Sequence, residues 1–460
     1  MKKVILFFLA TTIIFNLYPQ RSENNISTEE KIFAVSKIWK EVGENFPFFD
    51  RFHENYWDSL YYSNISKIIN TKTDYEFYEI LESMVNRLYE GHTKIILPNE
   101  FYEFQNQKIA RPDIYVKWLN DGFYIISISE DNENKIQLGS KILRIDDINI
   151  DDYLHKNKLP LTFFDHSQKY YQPYFLLNGK ENSTVKIKTI QMDGQIKEAV
   201  LTRNLHPKSK IIHLNKESLY LEHGKNNLQF SINEENIAYL NLGGFMSNDI
   251  VDFFKSKIDS IKTCKGLILD LRFSEGGSSI GDLIVNYFSK QDEYISYKAL
   301  VRINNSYYKA LGGYTDTALS KFTGGNLRHF EYQDYYKNNI FDTIVFYSKK
   351  EDKTIDIPVV ALCSPSVVSA SETFLISFQN AKAGVVIGQA SFGSCTQPYI
   401  VKLDKIGYLM IATQKSIYPD NRILDFVEPD IIINPTLKGF IEGRDEILEA
   451  GYNYLKNLKK

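Results

Sequence analysis

The sequence predicts a multidomain α+β chain: an N-terminal helical unit, a β-rich module, and a larger α/β core with a mostly parallel sheet. Three observations carry this. Apolar residues recur at helical spacing up to about residue 88, short β-rich runs separated by polar turns fill about 109–203, and strand-like and helix-like segments alternate thereafter. At 460 residues the chain exceeds one ordinary core. Its 43% hydrophobic and 24% charged residues are those of a globular protein. A formal charge of -3 gives no general attraction to nucleic acid, which is excluded as an expected partner.

Met1-Lys2-Lys3 is followed by a mostly apolar run from Val4 to Leu17. That length fits a secretory signal peptide better than a spanning helix, which needs about 20 residues. Residues 1–20 are therefore expected to direct export, and the mature chain to be periplasmic, secreted or at the cell surface. Cys264, Cys363 and Cys395 define neither a disulfide framework nor a metal site; buried free thiols are expected, with a Cys363–Cys395 pair as the alternative.

In the helical unit (21–104), Ile32, Val35, Ile38 and Val42 share one face behind Thr28 and Glu29-Glu30. A second helix is expected over about 56–69, and a third over about 74–88 with Asp74 as its cap. In Tyr89-Glu90-Gly91-His92-Thr93, Gly91 is expected to supply the left-handed turn that stops this helix, before an extended 94–97. The β module (105–205) shows weak alternation over 123–128 and a Leu138-Gly139 turn into a strand over 141–145. Runs at 185–190 and 198–202 flank an Asp193-Gly194 hairpin signal. In the core (206–460), strands are expected over 236–242, 266–271, 358–362 and 385–388, and helices over 248–261, 280–288 and 368–378. A Tyr-rich stretch at about 290–354 shows no pattern and reads as an insertion, a lid or edge elaboration.

The segment Val359-Val360-Ala361-Leu362-Cys363-Ser364-Pro365-Ser366-Val367-Val368-Ser369-Ala370-Ser371-Glu372 runs from a buried strand through a turn into a helix. A serine at a helix start is ordinarily a cap. Here small neighbours admit a substrate, and free N–H groups of the first turn can hold a developing oxyanion. Ser369-Ala370-Ser371-Glu372 resembles the signature of the tail-specific proteases, the family of C-terminal processing peptidases and the tricorn core protease. Leu269-Asp270-Leu271-Arg272, followed by Gly276-Gly277, is similar to that family's Asp-Leu-Arg strand and glycine pair. The stretch from Leu138 to Asp147 resembles a PDZ turn and strand. The resemblance covers nearly all of the mature chain. It implies a PDZ-like module and a core of the crotonase/Clp spiral type, with Ser369 as nucleophile and Ser371 structural. The oxyanion hole would come from Gly276 or Gly277 with Ala370.

One departure matters. C-terminal processing peptidases carry a basic lysine after a Phe-Gly pair, whereas here Phe392-Gly393 is followed by Ser394. A neutral hydroxyl cannot accept the Ser369 proton. The tricorn-like branch uses a histidine ahead of the PDZ-like unit, and His92 matches that location; imidazole can take the proton near neutral pH and return it to the leaving amine. Lys415 is the runner-up base. That branch places a serine directly before the histidine and uses a distant glutamate; here Gly91 precedes His92, and Asp425 or Glu428 lies in the region of the acid. The expectation is a serine-type peptidase acting on peptide or protein chains, recognised at a chain end, through an acyl-enzyme. No cofactor or metal is implied, and peripheral membrane association stays open. The alternatives are a catalytically silent peptide-binding protein and an esterase using the same site.

Overall fold

Three helices, Thr28–Asn45, Tyr56–Ile69 and Asp74–Asn86, open the computed structural model. It describes residues 26–458 apart from 107–108, 208, 217–227, 248, 314, 317–330 and 353, so the expected export segment lies outside the described residues. Two caps differ from expectation. Ser27 caps the first helix, accepting from the Glu30 N–H while the Glu30 carboxylate accepts the Ser27 N–H. Thr73 caps the third, leaving Asp74 to accept the Ile26 N–H. The left-handed residue after that helix is Tyr89, at φ 50°, not Gly91.

The apolar helix faces, with Val35, Ile38, Leu81 and Val85, close against Val401, Leu409 and Ile411 in one core. Strand Lys94–Ile96 pairs antiparallel with Tyr408–Ala412 in the same region. The helical unit is thus completed by the last quarter of the chain, which ties the Glu90–Thr93 turn to the segment 401–412.

In the β module, Ile114–Leu119, Gly122–Ser129, Lys141–Ile145, Thr184–Ile190 and Ile196–Thr202 form an antiparallel sheet. Gly139 makes its turn at φ 79°. Gly122–Ser129 is buried along its whole length rather than alternating. One face, with Ile125 and Ile128, fills the module core, while Tyr124 and Ile126 pack against Phe440.

The core sheet has six strands in the order Gln229–Ile232, Ile237–Asn241, Gly266–Asp270, Val359–Cys363, Val385–Gly388, Ile431–Ile432. All pairs but the first are parallel. Both faces are covered, which explains the continuous apolar runs. Leu267, Leu269 and Ala361 meet Phe254, Phe374 and Phe378 on one side, and Ile268, Val360 and Leu362 meet Ile447 and Leu455 on the other. The helix expected over 280–288 is only Gly281–Val285. The Tyr-rich stretch contains two long antiparallel strands, Glu293–Arg302 and Phe341–Lys349, the first also pairing with Gln414–Ile417. All three cysteines are free and buried.

Three core strands end at one sheet edge, and the loops after Asp270, Cys363 and Gly388 carry the glycine pair, Ser369 and Ser394 respectively. Arg272 anchors the first of these loops. Its guanidinium reaches Asp270 at 2.8 and 2.9 Å and Asp445 at 2.6 and 2.9 Å, and the Tyr239 hydroxyl donates to Asp270 at 2.8 Å. Arg272→Met would strand the fully buried Asp270 carboxylate, and removing one partner of a buried ion pair costs about 3–5 kcal/mol. A matching fall in the urea unfolding midpoint is expected; an unchanged midpoint would show that this network does not hold the loop.

Candidate active site

Ser369 stands at a sharp turn, φ 61° and ψ -125°, immediately before helix Ala370–Asn380. A non-glycine residue held there stores about 1–3 kcal/mol of strain. The turn is fixed on both sides: the Ser369 N–H donates to Glu372 at 3.0 Å, and its carbonyl accepts the Glu372 N–H at 2.8 Å. Upstream, the Ser364 hydroxyl donates to the Arg272 carbonyl at 2.5 Å.

Gly276 lies against this turn. At φ 85° it adopts a left-handed conformation, and a Cβ there would sit 2.7 Å from the Val368 carbonyl oxygen and 2.8 Å from the Ser369 Cβ. Only glycine allows this approach. The Ala370 nitrogen is 3.1 Å from the same point. Gly277 closes instead on Phe245, whose carbonyl oxygen would meet a Cβ at 2.2 Å. Ser371 is structural in position: its hydroxyl is 2.6 Å from that of Ser274, both buried, pinning the glycine loop to helix Ala370–Asn380.

Glu372 organises the surroundings. One carboxylate oxygen accepts the N–H groups of both Ser369 and Ser394, at 3.0 and 3.1 Å. The other accepts the Ser391 hydroxyl at 2.6 Å and the Gly393 N–H at 2.8 Å. Burial raises its pKa, against the lowering effect of these donors.

His92 sits beside Ser394, its Nδ1 2.6 Å from the Ser394 Oγ. That hydroxyl donates in turn to Glu90 at 2.6 Å. The other Glu90 oxygen accepts the His92 N–H at 3.0 Å and the Thr93 hydroxyl at 2.8 Å. Burial pushes the Glu90 carboxyl up, but His92, Ser394 and Thr93 outweigh it and hold the pKa at about 2. Gly91 provides room: a Cβ there would lie 2.9 Å from Phe392 and 3.0 Å from the Ser394 Oγ. Among the described residues no direct hydrogen bond joins His92 to Ser369; the two are linked through Ser394 and Glu372.

The other candidates lie elsewhere. Lys415 is buried, but its ammonium is engaged by Asp50 at 2.7 Å. Asp425 pairs with Arg51 at 3.3 Å with its side chain 54% exposed, and Glu428 is exposed. The acid beside His92 is Glu90, two residues upstream in the same turn, and neither Glu90 nor the bridging role of Ser394 was anticipated. The Glu-Gly-His-Thr run was the available signal.

The β module reaches this site directly. Helix Asp165–Tyr171 lies on the 391–394 loop: His166 donates from Nε2 to the Ser391 carbonyl at 2.6 Å, and the Ser167 hydroxyl to the Phe392 carbonyl at 2.8 Å.

Residues 236–433 match the family model described as peptidase family S41. Among solved structures, mature CPAF aligns at a TM-score of 0.63 with 11% identity, over 94% of this chain and 96% of that one. CPAF complexed with lactacystin gives 0.62 and 11%, over 93% and 98%. A putative peptidase from Parabacteroides merdae ATCC 43184 gives 0.52 and 16%, over 94% and 97%. At these identities the likeness is one of fold. No curated protein matches the sequence. The matched segment contains the glycine loop, Ser369, Glu372 and Ser394, and residues 236–433 are a peptidase family S41 domain.

Proposed function

We propose that this chain is a serine-type peptidase in which Ser369 is the nucleophile and His92 the general base. The observation that carries the reading is the hydrogen-bond chain from Glu90 through Ser394 to His92. Its protons can be assigned. Glu90, held ionised near neutral pH, only accepts. Ser394 has one proton and gives it to Glu90, so its oxygen must accept from Nδ1–H of His92. The Nε2 lone pair is then free to take the Ser369 proton.

Ser369 attacks the peptide carbonyl as its proton passes to Nε2, and the N–H groups of Ala370 and of Gly276 or Gly277 receive the oxyanion. The imidazolium is stabilised by the Glu90 charge one hydroxyl away, then protonates the leaving amine. Water, deprotonated by Nε2, releases the acyl-enzyme and restores Ser369. The arrangement parallels the tricorn-like branch, with the hydroxyl coming from Ser394 where that branch places it directly before the histidine. The β module acts as a PDZ-like unit presenting a chain end, and residues 1–20 as an export signal. The substrates are peptides or proteins.

A fluorophosphonate probe is expected to label the wild type and spare Ser369→Ala. His92→Ala should lower kcat/KM by about 10³–10⁴-fold, and Ser394→Ala should lower kcat by on the order of 100-fold with a smaller change in KM. Absence of labelling at every pH tried would replace this reading with a silent peptide-binding protein. Parallel peptide and ester assays separate peptidase from esterase.

The relay also affects stability. Glu90 has a folded pKa of about 2 against an ordinary 4.5, so its stabilisation is fully present above pH 4.5 and is lost as pH falls toward 2. Glu90→Gln should cost roughly 3 kcal/mol at pH 7, with the deficit shrinking over that window. A deficit that is the same at pH 7 and pH 3 would contradict an ionised Glu90.

A further inference from the structure

Strand Phe341–Lys349, in the Tyr-rich stretch, pairs with Glu293–Arg302 on one side only, and among the described residues the three-stranded sheet ends there. It is nine residues long, contains no proline, and carries no charge from Thr343 to Ser348. Ile344, Phe346 and Tyr347 are exposed, Tyr347 to 76%. A long edge with an uncharged, apolar centre is a template for another strand, and folded proteins ordinarily blunt such edges with lysine, proline or a bulge. Here the irregularity of the hairpin falls on the inner strand, between Ile295 and Tyr297. The edge itself stays regular.

The backbone fixes which groups that edge offers. The Lys350 N–H turns inward to the Asp292 carbonyl at 2.9 Å, so by alternation Val345, Tyr347 and Lys349 turn their N–H and carbonyl groups outward. Charge sits at opposite ends, with Asp342 at the start and Lys349-Lys350 at the finish. An antiparallel copy related by a two-fold axis through Phe346 sets Asp342 opposite Lys350, Thr343 opposite Lys349, Ile344 opposite Ser348 and Val345 opposite Tyr347. The outward backbone groups then face one another, and each copy's acid meets the other's base. Ile344 and Phe346 meet their own copies across the axis. Moving the axis to Val345 sets Asp342 against Ser348 and loses both ion pairs.

We propose that this edge is a self-association surface whose occupant is a second copy of this chain, joined strand to strand about the axis through Phe346. The two sheets merge into one continuous sheet across an isologous interface. A peptide of unrelated sequence gains the backbone bonds but not the reciprocal charges, and that favours a second copy.

The test is a cysteine on the axis. Phe346 faces itself in a pair that exchanges no hydrogen bonds, where Cα atoms lie about 4.5 Å apart, within disulfide range. In the whole chain, Phe346→Cys should cross-link to a dimer under mild oxidation, and Ile344→Cys, exposed on the same face but off the axis, about 10-fold less. The native cysteines are all buried. By sedimentation velocity the wild type should dimerise at micromolar concentration. Asp342→Lys should raise the dissociation constant on the order of 10-fold, and combining it with Lys350→Asp should restore it, which a folding defect would not. A wild type that stays monomeric, including one that instead adds an extended peptide to this edge, overturns the proposal. Equal cross-linking of the two cysteines, or no recovery in the doubly reversed variant, also overturns it.

Discussion

One buried carboxylate holds the site together. Glu372 receives the Ser369, Gly393 and Ser394 N–H groups and the Ser391 hydroxyl, each within 3.1 Å. A hydrogen bond to a charged group contributes about 1.5–3 kcal/mol, so together these bonds exceed the 1–3 kcal/mol stored in the Ser369 backbone. The strained turn persists because it is over-determined. Since a single oxygen accepts from both Ser369 and Ser394, Ser369 cannot shift without disturbing Ser394, the hydrogen-bond partner of His92.

The same loop is where the three parts of the chain meet. The helical unit delivers Glu90 and His92, and Thr93 fixes them by donating to Glu90 while accepting the Ala412 N–H at 3.0 Å. The β module rests His166 and Ser167 on the carbonyls of Ser391 and Phe392. A displacement of that module is felt first by residues next to Ser394.

Much of this was legible in sequence, and the misses have causes. The buried parallel strands announced themselves as apolar runs bounded by turns, and Ser369 with its glycine pair is a local pattern. Caps slipped by one residue because Ser27-Thr28 and Thr73-Asp74 each offer two capable side chains. Gly91 was read as a conformational glycine, whereas its service is space for Ser394 and Tyr89 makes the turn. The strands at 293–302 and 341–349 were hidden because aromatic residues occur on both faces, as the consecutive Phe346 and Tyr347 illustrate. Glu90 escaped because its role depends on Ser394, a partner 304 positions away. The acid was sought on a distant segment, at Asp425 or Glu428, while it lay in the same turn as the histidine.

Ser394 shows how the departure from the lysine-bearing pattern and the presence of Glu90 constrain one another. A lysine in its place would set an ammonium beside a buried carboxylate held ionised, and an opposite charge at that range raises a lysine pKa. Such a lysine would stay protonated at neutral pH and could not act as base. A hydroxyl carries no charge to be trapped. It links Glu90 to Nδ1 of His92 through one hydrogen-bonded oxygen. In the proposed mechanism the residue that stands in place of the lysine thus supplies what His92 needs, and Ser394 and Glu90 are intelligible only as a pair.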